Sequence, residues 1–206
     1  MLKLLYAPTS PYVRKVVACA HFSGLIDQIE LLDSAANPVR RDDRIAVHNP
    51  LAKVPTLILP DGQSLFDSRV ICEYLADLGQ NTHLFPAAGP RRWQALGQQA
   101  LGDGLLDAAL LARYEVLARP EQSQWQGWRD AQLVKVNACL QVIEQQAATL
   151  AQREPTIGEL TLACALGYLD FRFPELDWRA GRPNAARWEA EVRALPALQS
   201  TIPHEP

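Results

Sequence analysis

Residues 2–32 hold a strand, a helix and a second strand in about thirty residues. Strand, helix, strand over that length is a βαβ unit, whose two strands run parallel. LKLLYA (2–7) is a short apolar run that reads as a buried strand. Val13, Val16, Val17 and Ala20 then recur at i, i+3, i+4 and i+7, the face of an amphipathic helix, and Gly24 is placed to stop it. QIELL (28–32) is the second strand.

The next segment, DSAANPVRRDDRIAVHNP (33–50), is polar and irregular with one helical turn at most. It suits a ligand-facing segment and a solvated connection equally. KVPTLIL (53–59) reads as a third strand and SLF (64–66) as a fourth, and the PDGQ turn between them makes an antiparallel hairpin. DSRVICEYLADLG (67–79) is a helix capped by Asp67 or Ser68, with Ile71, Tyr74, Leu75 and Leu78 inward. The order is βαβ, irregular segment, ββα.

After Gly79 the texture changes. Residues 80–90 carry two prolines and a glycine and read as a linker between a first domain, 1–79, and an all-helical second domain, 91–206. Residues 91–117 form one long helix, weakened by Gly97, Gly102 and Gly104. Residues 125–152 form another, with Leu133, Val136, Leu140, Ile143, Ala147 and Leu150 at helical spacing. In the helix over 155–173, Thr156 and Glu159 fit a capping box and Pro155 and Leu160 the staple positions. Its apolar residues run all the way round, so it belongs at the centre. A surface helix over 183–196 starts at Pro183.

Several classes of function fall away. Net charge is −3, with no basic tract, so neither nucleic acid nor an anionic membrane is an expected partner. The first ten residues do not read as a signal peptide, and the most apolar later run, LTLACALGYL, is too short to span a membrane. A cytoplasmic protein is expected. Cys19, Cys72, Cys139 and Cys164 are widely spaced among alanines and leucines, and read as buried thiols rather than as a metal site.

Three short stretches carry chemistry. In NPLAKVPTL, Pro55 is either an ordinary edge-strand proline or a cis-proline. The cis form turns the Val54 backbone outward to pair with an extended, peptide-like ligand. In FDS, Asp67 and Ser68 either cap their helix or form a cradle for a carboxylate, with Asp67 as acceptor for an ammonium group. Carboxylate plus ammonium is the head of an amino acid. In TSPYVRK, Ser10 fits the N-cap position with Pro11 at the first helical residue, where the dipole favours an anion. Arg14 and Lys15 read as solvated helix charges.

Together SPYVRK, NPLAKVPTL and FDSRVICEYL, in this order and followed by a helical domain, resemble the cytosolic glutathione S-transferase family, in its bacterial form with serine at the sulfur site. TIGELTLACALGYLDF resembles the buried helix of that family's second domain, and the resemblance spans essentially the whole chain. It implies a thioredoxin-like N-terminal domain with a mixed four-stranded sheet, followed by the transferase-type helical domain.

It also implies a site. Val54, before a cis-Pro55, would pair its backbone with the cysteinyl part of glutathione. Asp67 and Ser68 would hold the γ-glutamyl head. Lys53 would approach the glycine carboxylate, a role that varies within the family. Ser10 would stand beside the sulfur, with Thr9 a competitor for that task. A second pocket would form between Pro11 and Tyr12 and the inner face of the long helix, at Leu105, Ala109 and Tyr114. Glutathione would be a co-substrate, with no resident cofactor or metal, and the other partner a small electrophile.

Two departures qualify this. Glu159 stands where the family usually has aspartate. Ser10 stands where some relatives, and the glutaredoxins, have cysteine, so a mixed disulfide with an enzyme cysteine at this position is excluded. The resemblance implies a homodimeric transferase of detoxification type that activates the glutathione thiol, for conjugation or for glutathione-dependent reduction. Its rival is an inert glutathione-binding or protein-interaction module of the same fold.

Overall fold

The computed structural model describes residues 1–150 and 154–205. Strand β1 (Leu2–Tyr6), helix α1 (Pro11–Phe22) and strand β2 (Ile29–Asp33) form the expected crossover. The strands pair in parallel, with Leu4 opposite Leu31. After a one-turn helix α2 (Asp43–Ala46) come β3 (Thr56–Ile58), β4 (Ser64–Leu65) and α3 (Ser68–Leu78). β3 is antiparallel to both β1 and β4, and the sheet order is β2-β1-β3-β4.

This order decides where a site can be. The C-terminal ends of β1, β2 and β4 and the N-terminal end of β3 lie at one end of the sheet. The segments that follow or precede them, 7–10, 34–42, 53–55 and 66–67, therefore gather there. All the candidate glutathione contacts come from those segments or from the residue that follows them.

Each helix has a local cause. The α1 valines are buried, and Gly24, at φ 66°, adopts the left-handed turn that ends this helix region. In α3, Ile71 and Leu75 are buried as expected, but Leu78 is 47% exposed because it lies in the last turn, beyond the sheet. The third strand is shorter than expected: residues 53–55 turn instead of pairing.

The second domain consists of α4 (Gly89–Leu117), α5 (Gln126–Gln146), α6 (Ile157–Arg172), α7 (Pro183–Arg193) and a one-turn α8 (Pro196–Gln199). α4 begins inside the stretch read as linker. The helix expected over 125–152 ends at Gln146 in a further 3-10 turn, Ala147–Thr149, and residues 151 and 152 lie outside the described residues. α6 is the central helix, buried through most of its length. The Thr156–Glu159 capping box is present, with the Thr156 N–H donating to Glu159 at 2.7 Å. Two glycines allow α4 and α6 to touch. A Cβ on Gly102 would come within 2.8 Å of the Thr161 side chain, and one on Gly158 within 2.5 Å of the Ala95 carbonyl. The glycines that weaken α4 as an isolated helix include one that its packing requires.

No described helix is long and apolar enough to cross a membrane. Cys19, Cys72 and Cys164 are buried and Cys139 is half-buried, and no metal-binding cluster occurs among the described residues.

Candidate active site

Ser10 is the N-cap of α1. Its Oγ accepts the Val13 N–H at 3.3 Å, and Pro11 is the first helical residue. A hydroxyl that accepts one hydrogen bond keeps its own proton to donate. Thr9 lies one residue earlier, in the turn between β1 and α1, and is likewise half-buried.

The Val54–Pro55 peptide is cis. Its turn is locked by a buried asparagine that sequence reasoning quoted but gave no role. Asn49, 1% exposed, donates through Nδ2 to the Lys53 carbonyl at 3.1 Å and to Thr56 Oγ1 at 3.0 Å. Its Oδ1 accepts the Leu51 N–H at 3.0 Å, and Thr56 Oγ1 donates to the same Lys53 carbonyl at 2.9 Å. Among the described residues the Val54 N–H and C=O have no hydrogen-bond partner. The Lys53 side chain is exposed.

Asp67 is the N-cap of α3, accepting the Arg69 N–H at 2.9 Å, and Ser68 is buried at the first position of that helix. The carboxylate is exposed at the end of the sheet where Ser10 and Val54 also lie.

Three cations and one carboxylate lie near these two helix starts. Lys15 is not a solvated helix charge: its side chain is wholly buried, and Nζ meets Asp103 Oδ1 of α4 at 2.6 Å. Arg69 reaches the other Asp103 oxygen at 2.9 Å. This partnership raises the guanidinium's pKa further. Arg14 is also buried; its guanidinium donates to the Leu198 carbonyl at 3.2 Å and lies against Gly167, where a side chain would collide with it. The flanking valines and alanines leave no solvated side for either cation near the start of α1.

The wall facing Tyr12 also differs from expectation. Leu105 and Ala109 have no accessible surface: they point into the α4–α6 core, and cannot line a substrate pocket in this arrangement. Instead the Tyr12 hydroxyl donates to Asp107. Burial, then the Asp107 carboxylate, push the Tyr12 pKa far above its ordinary value, so the hydroxyl stays protonated. Tyr114, seven residues beyond Asp107 on α4, is half-buried. Pro11 is buried. Beside Asp103 only Gly102 marks a close approach, a Cβ there coming within 2.8 Å of Thr161, while Gly104 has nothing within 4 Å.

A sheet with parallel β1 and β2 and antiparallel β3 and β4, a cis-proline at its active end and a helical second domain define a thioredoxin-like fold extended by an α-domain. The glutathione S-transferase N-terminal domain family matches residues 9–78, and the glutathione S-transferase C-terminal domain family residues 126–191. The chain belongs to the glutathione S-transferase family. It is 31% identical over 204 residues to an uncharacterized GST-like protein, YibF, of Escherichia coli (strain K12), covering 98% of both chains. It is similar to a crystal structure of a glutathione transferase family member from Pseudomonas fluorescens Pf-5 with bound glutathione, at 41% identity and TM-score 0.95, covering 99% of this chain and 100% of that one. A glutathione S-transferase from Methylobacillus flagellatus KT with glutathione bound is 36% identical, with TM-score 0.89 over 99% of this chain and 100% of that one.

Proposed function

We propose that this protein binds glutathione at the sheet end described above and activates its thiol for attack on an electrophile. The observation that carries the reading is the Ser10 hydroxyl. It caps α1 through a lone pair, accepting from Val13 at 3.3 Å, and keeps its proton for a bound sulfur. The unpartnered Val54 backbone beside the cis-Pro55 supports a strand-like pairing with the cysteinyl unit. Asp67 and Ser68, at the start of α3, suit the ammonium and carboxylate of the γ-glutamyl head. Lys53 remains the candidate for the glycine carboxylate. The glutathione bound by the P. fluorescens and M. flagellatus relatives supports the same ligand here.

The energetics are sufficient. A free thiol has a pKa of about 8.5. Lowering it by roughly two units takes about 2.7 kcal/mol. A hydrogen bond to the charged form contributes about 1.5–3 kcal/mol. The α1 dipole adds about 0.3–1 kcal/mol. The thiol proton leaves to solvent, the thiolate sulfur forms a bond to the electrophilic carbon, and that carbon's leaving group departs with the bonding pair. The protein supplies pKa control and proximity. Tyr12, held protonated, is a hydrogen-bond donor and not the base. Conjugation of this kind gives the protein a detoxifying role in the cytoplasm, as a homodimer.

The experiment is a glutathione affinity measurement followed by turnover with a generic aryl halide and an organic hydroperoxide. Binding with turnover of either substrate supports the transferase. Tight binding with no turnover across a broad panel supports the inert module instead. Sedimentation at micromolar concentration tests the dimer; a monomer refutes it.

A further inference from the structure

We propose that the second domain carries a ligand site of its own, in the groove between α4 and the end of α5, and that it takes a small, neutral, planar aromatic lactam. The inference is independent of the transferase reading, because none of the residues involved is a candidate glutathione contact.

The groove opens into a cavity of about 350 Å³, lined by Trp93, Gln94, Gly97, Gln98 and Leu101 of α4 and by Gln146 of α5. That volume is at the small end of ligand pockets and suits a compound of one or two rings. Residues 94, 97, 98 and 101 recur at three- and four-residue spacing, so they share one face of the helix. The face has an aromatic ring at its margin and bare backbone in its middle. Trp93 is 69% exposed, and a Cβ on Gly97 would meet nothing within 4 Å. Packing therefore does not require this glycine, as it does Gly102. The missing side chain leaves the space in which a flat ring stacks on the Trp93 indole.

The polar groups decide the ligand's edge. Gln98 is 5% exposed, yet its carboxamide has no hydrogen-bond partner among the described residues. Buried carboxamides ordinarily have their donors and acceptor paired. The surface that Gln98 keeps opens on the cavity it lines. Gln146, on the opposite wall, has an enclosed Oε1 that is also unpaired. A carboxamide offers a donor and an acceptor side by side. Its complement is the adjacent N–H and C=O of a lactam. None of the six lining side chains is ionisable, so nothing in the lining offsets a charge and the ligand is neutral.

The probes are 2-quinolone, a two-ring lactam, and its N-methyl derivative, which lacks the N–H. Each is titrated calorimetrically into the whole protein, alone and with saturating S-hexylglutathione to fill the thiol site. 2-Quinolone should bind with a Kd on the order of 0.1 mM, unchanged by S-hexylglutathione. The N-methyl compound should bind about tenfold more weakly. Gly97→Leu fills the cavity with a good helix former. It should weaken 2-quinolone by about tenfold or more while thermal stability holds or rises. Gln98→Met keeps the side chain's shape without the carboxamide, and should bring the two compounds to within about twofold of each other. Absence of 2-quinolone binding at millimolar concentration, its displacement by S-hexylglutathione, or binding that Gly97→Leu leaves intact overturns the proposal. So does equal native affinity for the two compounds, or a preference that survives Gln98→Met.

Discussion

Lys15 and Asp103 meet at 2.6 Å with 0% and 1% of their side chains accessible, and they belong to different domains. Arg69 completes the cluster at 2.9 Å. Lys15 is on α1, which Ser10 caps. Arg69 is on α3, which Asp67 caps. Asp103 is on α4. One buried carboxylate therefore holds both candidate glutathione-binding helix starts against the second domain.

Removing that carboxylate should leave Lys15 buried and unpaired. Asp103→Ala is expected to cost about 3–5 kcal/mol of stability. The double replacement Lys15→Met with Asp103→Leu should recover most of the loss, since apolar side chains of similar volume often replace a buried pair without penalty. Urea unfolding of Lys15→Met, of Asp103→Leu and of the double gives the cycle, with Asp103→Ala measured beside it. A cost below about 1 kcal/mol for Asp103→Ala would contradict burial of the pair.

Asn49 makes three hydrogen bonds that fix the turn before Pro55. Asn49→Ala is expected to lose about 2–3 kcal/mol, at about 1 kcal/mol per bond. Glutathione affinity should fall about tenfold with it, because the Val54 backbone is no longer held for pairing. Thermal unfolding and glutathione titration check the two effects. Loss of stability with unchanged affinity would separate Asn49 from the site.

The thiols should be silent. Burial raises the pKa of Cys72 and Cys139 and pushes Cys164 up to about 11, so at pH 8 these remain protonated. A chromogenic disulfide reagent should label Cys139 alone, and slowly, in the folded protein, and all four cysteines after denaturation. Rapid labelling of a second cysteine would show that α1, α3 or α6, whichever carries it, opens readily.

How much was readable in the sequence follows from what each signal depends on. The βαβ start, the capping box at Thr156 and Glu159 and the cap at Ser10 depend on neighbours within a few residues, and periodicity carries them. The cis-proline was one of two readings of NPLAKVPTL and is the one observed. The charges were misread for the opposite reason. Lys15 looked solvated because its partner is 88 residues away, in a helix whose rotation about its axis no local pattern fixes. The same rotation decides that Asp107, not Leu105 or Ala109, faces Tyr12. Asn49 was visible but mute, since its role exists only once the turn from Lys53 to Thr56 has closed around it.

Tyr12 should leave no mark on the pH profile. Its pKa is raised by burial and then by Asp107, so the proton is retained beyond the usual tyrosine range. kcat/KM should rise with pH as the thiol ionises, reach a plateau, and show no descending limb below about pH 10. Tyr12→Phe should have the same shape. A descending limb near pH 10 that Tyr12→Phe abolishes would make Tyr12 a titrating participant.

The central claim is that Ser10 stabilises the thiolate of bound glutathione. The direct measurement is the pKa of the bound thiol, read from thiolate absorbance against pH, in the native protein and in Ser10→Ala and Thr9→Ala. The native value should lie about two units below the free value of about 8.5. Ser10→Ala should raise it by about one to two units, the worth of a hydrogen bond to the charged form, and Thr9→Ala should leave it in place. An unchanged thiol pKa in Ser10→Ala, with glutathione still bound, would contradict the role given to Ser10; a rise in Thr9→Ala alone would assign that role to Thr9.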